Sequence, residues 1–123
     1  MSRARLEVLQ WYALFAGPWM WATQHVLMFG VASSHCSVTV ARWNVPVLWL
    51  NILITAVCGA AVLAAEAAAF VVYRATTETG EYAPGPWGRM KFFAEAALLG
   101  NVLFIVIVAL DAAGGIYHGC GQA

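Results

Sequence analysis

Four residues of this chain are of types that ligate soft metals or form disulfides: His35 and Cys36 in "ASSHCSVTVARW", and His118 and Cys120 in "GIYHGCGQA". Two thiolates and two imidazoles suit zinc or copper. Their spacing suits one shared ion poorly, because adjacent His35 and Cys36 strain to reach two corners of a tetrahedron and neither half has the spaced pairs of zinc modules. A Cys36–Cys120 disulfide is the favoured chemistry, with the four-residue metal set as its alternative. The bridge would close a loop of about 85 residues and restrict the unfolded chain by about 4–5 kcal/mol. Cys58 lies in the middle of an apolar run and reads as a small packing residue.

A second set of polar residues stands inside apolar sequence, where each needs a partner. His25 and Asp111 both lie about six residues before the end of such a run and can form a hydrogen-bonded pair. His25 could ligate haem iron, but the chain has no second intramembrane histidine for a bis-His site, so no haem and no other cofactor of its own is expected. Glu66 and Glu95 lie toward the opposite end, near Arg74, Arg89 and Lys91. Structural pairing or contact with a partner is expected of them rather than a proton path, since Asn51, Thr55 and Asn101 read as isolated. Nucleophile–base motifs, phosphate-cradling glycine loops and glycosidase-like carboxylate pairs do not occur, and catalysis by the chain alone is not expected.

The elements that must position these residues follow from composition. Of 123 residues, 63% are hydrophobic and 10% charged, with six Trp, a balance that a small soluble domain could not cover with a polar surface. The fold class expected is an all-α integral membrane protein, a single three-helix domain over 1–123 with helices at about 9–31, 46–73 and 92–117. The first run opens like a signal peptide, with Arg3 and Arg5 before apolar sequence, but exceeds a signal's apolar core and is read as a retained helix. Basic residues are scattered and formal net charge is zero, so the footprint of a nucleic-acid binder is missing.

Orientation follows from the same basic residues. Arg3, Arg5, Arg74, Arg89 and Lys91 fall on one side of the expected spans and only Arg42 on the other, which puts the amino terminus inside and the carboxyl terminus outside. Trp11, Tyr12, Tyr73 and Trp87 then mark the inner boundary, Trp43 and Tyr117 the outer one. Pro18 should bend helix one, and Asn44 with Pro46 should start helix two. Rows of small residues, Ala60, Ala64, Ala68 and Ala61, Ala65, Ala69 in helix two, with Ala96 and Gly100 in helix three, predict a tight hairpin of these two helices. The segment 74–91, "RATTETGEYAPGPWGRMK", reads as an irregular surface connection.

The pattern "LQWYALFAGPWMWATQHVLMFGV", Cys36, a second span, a Pro/Gly loop, "RMKFFAEAALLGNVLFIVIVALDAAGGIY" and Cys120 resembles a family of small three-helix bacterial membrane proteins of unassigned function that accompany haem-copper cytochrome c oxidases. The resemblance covers nearly the whole chain and maps the family's paired cysteines onto Cys36 and Cys120 and its Gly-Pro onto Gly17 and Pro18. It implies a multi-pass protein of the bacterial inner membrane, an accessory subunit or assembly factor of a respiratory complex. Three short helices bury few polar groups of their own, so a larger membrane partner covering some of His25, Glu66, Glu95 and Asp111 agrees with it. The alternatives are a haem- or copper-handling protein and a small homo-oligomeric proton-coupled transporter acting through Glu66 or Glu95. No cofactor of its own is expected, and a groove beside helix one is a place where lipid could bind.

Overall fold

Three helices, α1 (Arg3–Cys36), α2 (Val47–Thr77) and α3 (Pro86–Tyr117), make up the fold in a computed structural model that describes residues 2–36, 47–77 and 85–117. Each runs past the apolar stretch that announces it. α1 starts six residues before 9 and ends five after 31, α2 continues four residues past 73, and α3 begins six before 92.

Local caps set the starts of α1 and α3. Ser2 accepts at its Oγ from the Arg5 amide at 3.4 Å and at its carbonyl from the Leu6 amide at 3.1 Å, an N-cap for α1. Gly85, at φ +82°, makes the left-handed turn that delivers Pro86 to the first position of α3, where a missing N–H costs nothing. At the end of α2 the Thr76 hydroxyl donates to the Val72 carbonyl at 2.8 Å and that of Thr77 to Tyr73 at 2.7 Å. Both ends of the segment expected to be irregular are therefore helical. Pro18 lies within α1 without ending it.

Every helix packs on both others. α1 and α3 run parallel with α2 antiparallel between them, so Leu6 meets Val72, Met90 and Ala94 at one end, and Ala13 meets Ala68, Ala69 and Ala97 one layer further in. Large apolar side chains point outward: Trp19, Phe29, Leu99 and Leu110 are 72, 71, 79 and 65% exposed. A bundle with alanines inside and tryptophans outside fits an apolar surrounding, because small residues let backbones approach where lipid makes burial of large ones unrewarding.

α2 and α3 are long and apolar enough to cross a membrane. α1 is less apolar than the expectation of three equal spans allowed; Gln10, Thr23, Gln24 and His25 interrupt it. The hairpin of small residues also differs in detail. The Ala61, Ala65, Ala69 row turns inward, while Ala60 and Ala64 are exposed. Gly100 makes no close approach, since a Cβ there would meet nothing within 4 Å. The tight crossing is instead at Gly17, between α1 and α3, where a Cβ would stand 2.8 Å from Asn101 Oδ1 and 2.8 Å from the Phe104 ring.

Candidate functional site

Charged and polar residues bracket the bundle at two levels. Arg5 to His25 on α1 and Lys91 to Asp111 on α3 each span 20 residues, about 30 Å of helix, the thickness of a bilayer's hydrocarbon core. At the first level Glu7 Oε1 lies 3.3 Å from Arg3 Nε and 3.6 Å from Arg89 Nη2, and Arg74 sits over the Phe70 ring at 5.8 Å. At the second, Trp21 Nε1 donates to Asp111 Oδ2 at 3.0 Å and His25 Nδ1 stands 3.5 Å from the same oxygen. The rings of Trp21 and His25 are 5.9 Å apart. Asp111 thus stands beside an imidazole whose side chain is 63% exposed, with Nε2 as the ring nitrogen farther along the ring for a partner or a metal.

Between these levels runs a buried polar seam. Asn101 donates from Nδ2 to the Ala13 carbonyl at 2.9 Å and hydrogen-bonds the carboxyl of Glu66. Further along, Gln24 Nε2 donates to Thr55 Oγ1 and to the Val108 carbonyl, both at 3.2 Å. Thr55 donates onward to Asn51 Oδ1 at 3.2 Å, and Asn51 to the Ala112 carbonyl at 3.4 Å. Asn51, Thr55 and Asn101, expected to be isolated, are the joints between helices. Each amide ties a side chain of one helix to backbone or hydroxyl of another, which in an apolar surrounding specifies register as well as contributing stability.

Of the four residues expected inside apolar sequence, His25 and Asp111 come together, whereas Glu66 turns to Asn101 and Glu95 is exposed with no ion pair among the described residues. Of the bases near them, Arg89 is engaged by Glu7 and Arg74 by the Phe70 ring. The side chains of His35 and Cys36, and residues His118 and Cys120, lie outside the described residues, and with them the disulfide and its metal alternative. Cys58 is buried with its thiol free.

Sequence reasoning missed Gln10 and Gln24, which are 1% and 0% exposed. Their signal was present: Leu6, Gln10, Ala13, Gly17 and Gln24 recur at spacings of 4, 3, 4 and 7, one inward stripe of a helix. Gln10 differs from the others in having no hydrogen-bond partner for Nε2 or Oε1 among the described residues. An unpaired buried amide is costly, so Gln10→Met, of similar length, is expected to stabilise the bundle by about 1–2 kcal/mol. Thermal unfolding in detergent followed by tryptophan fluorescence reads this directly, and a fall in melting temperature would reveal a partner for the amide.

No protein-family model matches the chain, and no curated protein or solved structure is detectably similar to it.

Proposed function

We propose that the chain spans the bacterial inner membrane three times, amino terminus inside, and serves as a non-catalytic accessory subunit or assembly factor of a larger membrane complex. The partner to which the sequence resemblance points is a haem-copper cytochrome c oxidase or its supercomplex. The observation that carries the reading is the outward-facing His25–Asp111–Trp21 group on the α1/α3 side of the bundle. Hydrogen-bonding groups at the lipid-facing surface cost free energy unless something polar covers them. An exposed imidazole beside Asp111, flanked by exposed Val26 and Phe29, has the mixture of apolar anchor and polar group found at the centres of interfaces. The two charge levels 30 Å apart support α1 as the third span, and the five cations gathered at one end support the orientation.

Affinity purification in mild detergent, with mass spectrometry of partners and a haem spectrum, tests the proposal. Haem-copper subunits are expected with the native chain, and His25→Ala is expected to lower their recovery about tenfold, the weight of one interfacial hot-spot residue, with helical content unchanged. Recovery of the chain alone, as a homo-oligomer, would overturn it. One feature favours a second reading: a carboxylate behind an imidazole is the usual support of a metal- or haem-ligating histidine. A Soret band or stoichiometric copper in the isolated chain would replace the accessory role with that one.

A further inference from the structure

Glu66 stands midway between the two charge levels. Its partner Asn101 is ten residues from Lys91 and ten from Asp111, about 15 Å of helix either way. Across a span that matches the hydrocarbon core this is the bilayer midplane, the depth at which a carboxylate is most expensive. The surrounding turns, 13–17 on α1, 62–70 on α2 and 97–104 on α3, all belong to the described residues.

The two carboxyl oxygens have different surroundings. Asn101 is the side chain hydrogen-bonded to the group, and its amide is itself fixed by donation to the Ala13 carbonyl at 2.9 Å. Oε2 is buried with no hydrogen-bond partner among the described residues. Nor does a cation reach it. Glu66 has no ion pair among the described residues, and Arg74, eight residues along α2, lies over the Phe70 ring. The other titratable groups of the three helices stand apart. Cys58 and Tyr73 are eight and seven residues away on α2, Glu95 is six residues before Asn101 on α3, and the Tyr12 hydroxyl of α1 donates to the Ala61 carbonyl at 2.8 Å.

We infer that Glu66 is a proton-binding site at the membrane midplane, occupied in the folded bundle, with the proton on Oε2 and Asn101 holding the other oxygen. A proton is the ligand this donor set fits. A hard metal cation takes about six oxygens, whereas Glu66 and Asn101 supply one carboxyl and one amide already used as a donor. A protonated carboxyl carries no charge and costs far less to keep from water than a lone carboxylate. Its proton can leave only to water or to a partner's base that reaches the same depth. The site rests on the membrane-spanning reading of the fold and not on the identity of any protein partner.

The test is infrared spectroscopy of the full chain in lipid vesicles at about pH 8, where a carboxyl in water is ionised. A carboxylic-acid C=O band is expected in the native chain and its loss in Glu66→Gln, a substitution of the same shape, with helical content unchanged. Dicyclohexylcarbodiimide, an apolar reagent that adds a protonated carboxyl across its C=N bond, is expected to modify Glu66. It should leave Glu7, ion-paired with Arg3 and Arg89, unmodified. Absence of a Glu66-dependent acid band, or modification of Glu7 to the same extent as Glu66, would overturn the proton site. A charged, water-soluble carbodiimide is expected to spare Glu66. Its reaction with Glu66, or failure of the chain to enter vesicles, would instead overturn the membrane reading itself.

Discussion

Gly17→Ile is expected to abolish cooperative folding of the three-helix bundle, and Gly17→Ala to destabilise it by about 2 kcal/mol. A Cβ at this position would stand 2.8 Å from Asn101 Oδ1, 2.8 Å from Phe104 Cδ2 and 3.2 Å from Phe104 Cγ. Neither neighbour can withdraw freely. Asn101 is held by its bond to the Ala13 carbonyl and by Glu66, and the Phe104 ring packs on Trp21 at 6.4 Å between centroids. The strain must therefore go into separating α1 from α3. Gly100 and Gly59 are the controls, since a Cβ at either meets nothing within 4 Å. Alanine at these two sites is expected to raise stability by about 0.5–1 kcal/mol through the backbone alone. Unfolding in detergent monitored by tryptophan fluorescence separates the cases, and equal losses from Gly17→Ala and Gly100→Ala would contradict the crossing at Gly17.

The same pair of glycines shows what was legible in the sequence. Small residues at helical spacing announce that backbones approach closely, and rows on α2 and α3 were visible without coordinates. Which row faces inward depends on the angular position of each helix and on the third helix, and neither is written locally. Gly17 carried the answer beside Pro18, where a kink offered the simpler explanation, and Pro18 lies inside α1 without ending it. The helical class and the number of elements were readable because apolar runs of 20 or more residues leave few alternatives. Helix ends were not, since Ser2 and the Gly85–Pro86 turn lie beyond the apolar runs they terminate.

The polar seam was hidden for a related reason. His25 and Asp111 could be matched because both sit at the same distance from the ends of parallel runs. Asn101 and Glu66 could not, because a donor's partner on another helix depends on register, and the backbone carbonyls that Asn101, Gln24 and Asn51 use have no signature in sequence at all. Side-chain to backbone bonds between helices are thus the part of a helical bundle that sequence patterns represent least. They are also the part that fixes α1, the least apolar of the three helices, to its neighbours.

Asn101→Leu is accordingly expected to be among the most damaging substitutions in the chain, at about 2–3 kcal/mol. It removes the Nδ2 bond to the Ala13 carbonyl at 2.9 Å and deprives Glu66 of its side-chain partner. Glu66 Oε2 already lacks one among the described residues, so the carboxyl would be left without polar contact in apolar surroundings. Glu66→Leu acts asymmetrically, because Asn101 keeps the Ala13 carbonyl and no carboxyl remains to be satisfied. That variant is expected to be neutral or stabilising, and the double variant more stable than Asn101→Leu alone, as when both partners of a buried pair are replaced by apolar groups. A double-mutant cycle on detergent-solubilised protein, read by unfolding, gives the coupling between the two side chains. If Glu66→Leu costs as much as Asn101→Leu, the carboxyl has a further partner that holds the bundle together. If it stabilises, the carboxyl is kept at a cost to the fold, and loss of an associated membrane partner in Glu66→Leu would then identify what it is kept for.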